Sequence, residues 1–147
     1  MRIERVYAHC LDVTFETQAP DQTQAVGAEL AARLAPGDVV LVSGELGSGK
    51  TTFVRGACLA LGADGPVTSP TFTIGQIYRG KVEIAHLDLY RLSSLAGEDP
   101  SLLDDYLTPD RIGFVEWPEA AGPAIEGVAA RVRLEHSGGD RRRIEIV

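Results

Sequence analysis

Apolar positions along the chain switch between a period of two and a helical period, and the switches mark out the elements. Cys10-Leu11-Asp12-Val13-Thr14-Phe15-Glu16-Thr17 alternates apolar and polar residues and predicts a strand. From Thr23 to Leu34, Val26, Leu30, Ala31 and Leu34 recur at helical spacing, with Asp21 after Pro20 as the expected N-cap. Pro36-Gly37-Asp38 is a turn. Asp38-Val39-Val40-Leu41-Val42-Ser43 is a continuous β-branched run and predicts a buried strand, and Thr52 to Leu61 predicts a helix ending near Gly62.

The second half is richer in strands. Phe72 to Tyr78 and Val82 to Tyr90 flank Arg79-Gly80-Lys81 and predict a β-hairpin, so the sheet should be mixed. Ser101 to Leu107 predicts a short helix, with Asp99 or Ser101 as its cap. Arg111 to Trp117 predicts a short buried strand that carries an acid near its end. Pro118 to Gly127 reads as a loop or short helix. Val128–Glu135 and Arg141–Val147, around Ser137-Gly138-Gly139-Asp140, predict a closing antiparallel hairpin. Residues 1–9 lack a clear pattern and read as an N-terminal extension with an edge strand or an ordered tail. Residues 65–71 and 93–100 break all periodicity.

Composition changes this picture little. A chain of 147 residues with 44% hydrophobic and 24% charged residues is one globular domain with a real core. No apolar run is long enough to span a membrane, and the charged start Met1-Arg2-Ile3-Glu4-Arg5 has no apolar signal core after it, so the expected location is the cytoplasm. The two cysteines, Cys10 and Cys58, lie far apart without metal-ligand spacing, which fits free thiols in a reducing compartment. Cys58 falls on the apolar face of its helix and reads as a small buried hydrophobe. A net charge of −7 argues against the chain gripping DNA or RNA by itself.

One stretch carries chemistry. Gly44-Glu45-Leu46-Gly47-Ser48-Gly49-Lys50-Thr51 fits G-x-x-x-x-G-K-[ST] without a mismatch, between a predicted strand and a predicted helix. In this context glycines let successive backbone N–H groups face inward as an anion nest, and the helix N-terminus adds partial positive charge. Lys50 would reach the β- and γ-phosphates, and the Thr51 hydroxyl would ligate Mg²⁺. Residues Glu45 to Thr52, that is Glu45, Leu46, Gly47, Ser48, Gly49, Lys50, Thr51 and Thr52, form the expected cradle. Average residue frequencies put a chance match in a chain of this size at roughly 0.5%. Only Lys50 and Lys81 among fourteen basic residues are lysines, yet one occupies the slot where a compact charge is wanted. The fold class that follows is α/β: a single P-loop NTPase-like domain over residues 1–147, with a mixed central sheet, helices on both faces and β-hairpins.

Such a site needs an acid near the metal, usually at the end of a neighbouring buried strand. Asp88 and Glu116 both have that setting, and the residues alone do not choose between them. The hydroxyl-rich Thr68-Ser69-Pro70-Thr71 is either a γ-phosphate-sensing loop or a plain turn. His86 points opposite to Ala85 and Leu87 on its strand; a lone histidine there is more often packed or exposed than catalytic. Trp117, the single tryptophan, reads first as a core residue. Arg141-Arg142-Arg143 reads as a solvated hairpin edge that discourages strand addition. With no asparagine in the chain, the guanine-reading N-K-x-D signature is excluded. Asp110-Arg111-Ile112-Gly113 matches D-x-x-G but precedes a strand, and reads as chance.

Four blocks in order, Gly44 to Thr52, Val67-Thr68-Ser69-Pro70-Thr71-Phe72, His86-Leu87-Asp88-Leu89-Tyr90-Arg91 and Val115-Glu116-Trp117-Pro118-Glu119, resemble the TsaE (YjeE) family of small bacterial P-loop ATPases. The resemblance spans about Phe15 to Glu119. It implies ATP and Mg²⁺, with Thr51 and Asp88 near the metal and Glu116 as a Walker B-like acid that holds the metal or orients the attacking water. It also moves Trp117 toward the nucleotide and makes the Ser69–Phe72 block a switch-like loop. The family supports synthesis of threonylcarbamoyladenosine in tRNAs that read codons beginning with A. Its members act with TsaB and TsaD, and the transfer itself belongs to TsaD. The implied function is a weak, partner-stimulated ATPase that drives or resets that complex, touching tRNA only indirectly and neither membrane nor DNA. No arginine finger is evident beyond Arg55 or Arg91. The alternatives are a nucleotide-dependent binding switch with negligible turnover and a small-molecule kinase.

Overall fold

The computed structural model describes residues 13–68, 74–90, 101–120 and 125–147. The readings for residues 1–12 (with Cys10), for the Ser69–Phe72 block and for the 93–100 linker with Arg91 lie outside these. Seven strands form one sheet: β1 (Val13–Thr17), β2 (Val39–Ser43), β3 (Gly75–Tyr78), β4 (Glu83–Asp88), β5 (Arg111–Glu116), β6 (Val128–His136) and β7 (Arg142–Ile146). Helices are α1 (Pro20–Ala31), α2 (Lys50–Ala60) and the single turn α3 (Ser101–Asp104), and Pro118–Ala120 forms a 3₁₀ turn.

The sheet order is β1-β7-β6-β2-β5-β4-β3. Its centre, β6-β2-β5-β4, is parallel, and an antiparallel strand pairing flanks it on each side. The mixed sheet and both hairpins match the sequence reading. β2 is central and buried on both faces, which is why it is apolar at every position from Val39 to Val42. Val40 and Val42 face one core with α1 and α2; Val39 and Leu41 face a second with α3, Tyr106 and Leu107. Both faces are covered, but unequally. The two long helices share one face, and a single helical turn with its loops covers the other.

Helices α1 and α2 lie in unusually close contact. A Cβ placed on Gly56 would stand 2.0 Å from the Gln24 carbonyl oxygen, and one on Gly27 2.2 Å from that of Phe53. Only glycine permits this approach. It seats Val26, Leu30, Phe53, Val54 and Ala57 against the sheet, each large side chain contributing ~1.5–3 kcal/mol by burial.

Boundaries differ from the pattern in informative ways. α1 begins at Pro20 with Ala19 as its N-cap, so Asp21 is not the cap. Proline's fixed φ and missing N–H suit the first helical position, and Asp21 then sits in the first turn near the positive end of the helix. The Gln22 side chain reaches back to accept from the Gln18 N–H. α1 stops at Ala31, and α3 stops at Asp104, after which the Tyr106 and Leu107 N–H groups bond back to the Leu103 carbonyl. The larger correction concerns Arg141-Arg142-Arg143. β7 is not an edge: it lies between β1 and β6, and among the described strands the outermost are β1 and β3. On β7 the exposed Arg143 stands between Glu16 and Glu135, so its charge is matched across both neighbours.

Candidate active site

Three parallel strands deliver the site. β2 runs into the P-loop, and β5 beside it ends at Glu116 in register with Val42. β4 lies beyond β5, and Asp88 is in register with Glu116. Alternation then decides direction. His86, Asp88 and Glu116 share the parity of Ile84, Ile112 and Phe114, which face α1 and α2, so all three project toward the start of α2.

The loop itself is tightly built. Gly44 has φ 144°, and a Cβ there would meet the Leu134 carbonyl oxygen at 2.5 Å and Ser48 Oγ at 2.6 Å. Lys50 Nζ donates to the Gly44 and Glu45 carbonyls at 2.6 and 2.8 Å, closing the loop on itself. The same ammonium sits 4.3 Å from the centroid of the Trp117 ring, a cation–π contact. Burial lowers the Lys50 pKa, and the charges of Glu116, Asp88, Glu119 and Glu45 oppose that shift.

Glu116 is the most constrained acid. It is 2% exposed; Thr51 Oγ1 lies 3.2 and 3.3 Å from its two oxygens, and His86 Nε2 lies 2.5 Å from Oε2. His86 is fully buried, and its Nδ1 is 3.4 Å from the Tyr78 hydroxyl. That hydroxyl also faces Gln76 Oε1 at 2.8 Å and the Thr68 carbonyl at 3.1 Å. A polar chain therefore runs from Thr51 through Glu116, His86 and Tyr78 to Thr68, where the hydroxyl-rich stretch begins. Asp88 is half-buried, and its Oδ1 accepts from the Tyr90 N–H at 3.0 Å. Burial raises its pKa and the neighbouring Glu116 charge adds to the rise, against the Tyr90 N–H, His86 and Lys50.

Trp117 has the left-handed φ of 57°, a conformation that costs a bulky residue about 1–3 kcal/mol. Its N–H bonds the Val42 carbonyl at 3.2 Å, and its ring stacks at 4.9 Å on that of Tyr90. The chain thus turns sharply out of the sheet directly after Glu116, and the indole roofs the P-loop lysine. It is only partly buried, so it is not simply a core residue.

A cavity of about 290 Å³ opens here, lined by Leu46, Gly47, Gly49, Lys50, Thr51, Thr52, Asp88, Glu116, Trp117 and Arg142. A larger one, about 690 Å³, adjoins it, sharing Leu46 and Trp117 and bounded by Glu45, Ser48, Glu119 and the end of β6. Glu45 to Thr52, Asp88, Glu116 and Trp117, the cradle, acids and tryptophan expected from the sequence, all lie at one of these two cavities. The donor set of the smaller one, a hydroxyl and two carboxylates beside an ammonium and a helix N-terminus, has the chemistry for a divalent cation on a phosphate chain.

Two residues were not assigned to the site from sequence. His86 read as a bystander because its partner is thirty residues away in the chain; its parity with Asp88 was the available signal. Arg142 carried no local signal at all. Conversely, Arg55 is not at the cavity: its Nε donates to the Val67 carbonyl at 3.1 Å, clamping the start of the hydroxyl-rich stretch. Asp110 and Thr108 bond each other before β5, at the end of the sheet away from the P-loop, so the D-x-x-G string takes no part. Cys58 is fully buried, as its position on α2 implied, and burial pushes its thiol pKa up to about 12.

Comparison with known proteins agrees with this architecture. The family model described as threonylcarbamoyl adenosine biosynthesis protein TsaE matches residues 17–144. Curated TsaE proteins from Bacillus subtilis and Mycobacterium tuberculosis are each 35% identical to the chain, covering 88% and 84% of it and 82% and 79% of their own lengths. One from Synechocystis is 43% identical over 66% of the chain and 64% of its own length. The crystal structure of Bacillus subtilis YdiB superposes with a TM-score of 0.70 at 30% identity, covering 92% of this chain and 84% of that one. The matched stretch, residues 17–144, includes the P-loop, Asp88 and Glu116, and the protein belongs to the TsaE family.

Proposed function

We propose that this protein binds ATP with Mg²⁺ and hydrolyses it slowly, supporting tRNA threonylcarbamoyladenosine synthesis as the nucleotide-driven partner of TsaB and TsaD. The observation that carries this reading is the meeting of Thr51 with Glu116 beneath the P-loop, with Asp88 in register alongside. Bound Mg²⁺ would neutralise charge on the β- and γ-phosphate oxygens. Lys50, now on two loop carbonyls, would donate to phosphate oxygens instead, and the Thr51 hydroxyl and Asp88 would hold the cation. Glu116, still held by His86, would orient the attacking water. Trp117 shields the Lys50 ammonium from solvent and strengthens its attraction to phosphate.

Slow intrinsic turnover is the expectation. Arg55, one of the two arginines considered as a finger, is held at the Val67 carbonyl, and a missing transition-state arginine costs about 10³–10⁵ in rate. Partner stimulation would supply that group. The test is phosphate release from ATP, alone and with TsaB and TsaD. Stimulated release by the parent, abolished in Lys50→Ala and in Glu116→Ala, is expected. Equal rates for parent and Glu116→Ala under both conditions would remove Glu116 from the reaction.

A second reading has one observation behind it. Both Glu116 oxygens lie near Thr51 Oγ1 and one is also held by His86, a resting arrangement suited to a binding switch. Nucleotide-dependent affinity for TsaB–TsaD without phosphate release would establish that reading instead.

A further inference from the structure

We propose that Arg142, delivered by the last strand of the sheet, is a second cation of the phosphate site and contacts the phosphate chain of the bound nucleotide; this rests on the nucleotide-binding reading above. The placement follows from topology. β6 lies directly beside the P-loop strand, and β7 pairs with β6 through His136↔Arg142. On β7, Arg142 shares the parity of Ile144 and Ile146, which face the helix-covered core. Arg142 therefore projects over the same face as Glu116, at the end of the sheet where α2 begins.

The side chain arrives at the loop. Arg142 Nε and Cδ stand 3.5 and 3.7 Å from where a Cβ on Gly49 would be, and Arg142 lines the smaller cavity with Gly49, Lys50 and Thr52. Its Nη1 donates to the Gly139 and Arg141 carbonyls, each at 2.8 Å, which anchors the guanidinium to the hairpin turn. Among the described residues no acceptor is bonded to Nε or Nη2, so one edge of the planar fork remains for a ligand. The two cations lie on one side of the cavity with the loop. Lys50 and Arg142 flank Gly49 and the α2 N-terminus, so a phosphate seated against the loop meets both, while Asp88 and Glu116 remain for a cation. Arg143, the next residue, faces the other way, half-exposed and 3.5 Å from Glu145.

The experiment measures affinity by calorimetry for Mg-ADP, Mg-ATP and inorganic tripolyphosphate. Arg142→Gln keeps a shorter polar side chain and removes the charge; Arg142→Ala removes both; Arg143→Ala is the neighbouring control. Arg142→Gln and Arg142→Ala should each weaken all three ligands about tenfold or more, and Arg143→Ala should match the parent. Unchanged affinity in Arg142→Gln overturns the proposal. So does weakening confined to the nucleotides with tripolyphosphate unaffected, which would place Arg142 on the nucleoside. If the parent and Lys50→Ala alike bind none of the three, the nucleotide-binding reading itself falls and takes this proposal with it. Parent-like binding in Arg142→Gln, with Lys50→Ala impaired, rejects Arg142 alone.

Discussion

Replacing His86 by alanine tests whether the buried His86–Glu116 contact holds the acid in place. Nε2 lies 2.5 Å from Glu116 Oε2, and both side chains are almost wholly sequestered from water. Without the imidazole, the described hydrogen-bonding partner left to the carboxylate is Thr51 Oγ1, at 3.2 and 3.3 Å. Leaving a buried polar group short of its partner costs about 1–3 kcal/mol. At about 2–4 °C per kcal/mol for a chain of this size, a loss of ~2 kcal/mol lowers Tm by roughly 4–8 °C. Glu116→Gln keeps the shape and alters the acceptor, so in that background His86→Ala should cost ~1 kcal/mol less. The assay is urea unfolding of the four proteins without nucleotide, followed by circular dichroism. Two costs that simply add, within about 0.5 kcal/mol, would refute the claim that His86 positions Glu116.

Three further outcomes follow from the geometry. Because the native Asp88 pKa is raised, the folded chain holds a proton that the unfolded chain has lost; its stabilising share is present below the ordinary aspartate range and lost as pH rises through the native value. Asp88→Asn should therefore raise Tm near neutral pH without nucleotide, flatten its fall above the ordinary aspartate range, and reduce the stabilisation given by Mg-ATP; thermal scans with and without ligand check all three. Gly56→Ala should destabilise by about 3 kcal/mol or more, at the upper end of overpacking costs, because the clash at 2.0 Å is with backbone; urea unfolding measures it, and a cost under about 0.5 kcal/mol would mean the helices separate freely. Cys58, buried and with its thiol raised to about 12, should resist alkylation at about pH 8 until the domain opens, as peptide mapping of the labelled chain will report.

What the sequence disclosed was what local pattern encodes. The P-loop is contiguous, β2 shows as an unbroken apolar run, and the acids closing β4 and β5 sit where those runs end. What stayed hidden depends on which strands become neighbours. The alternation of Arg141–Val147 announces a strand but not that β1 will cover its outer side, so three arginines read as a solvated edge. One of them proved to line the smaller cavity beside the P-loop. His86 was equally opaque, since its meaning lies in a carboxylate on the adjoining strand. At α1 the miss was chemical: an aspartate one residue after a proline looks like a cap, but proline itself begins the helix.

The pairing of β1 with β7 has a consequence for how the molecule is made. Val13 is joined to Ile146 and Thr17 to Arg142, so the first and last described strands are laid side by side. Contacts of such long sequence separation close large loops and form slowly. During synthesis the P-loop emerges early, yet among the described strands β1 has no sheet neighbour, and the smaller cavity lacks its Arg142 wall, until β7 has been made and docks. A product truncated before β7 would retain the whole Gly44–Thr51 stretch and still lack both the Arg142 wall of the smaller cavity and the sheet partner of β1.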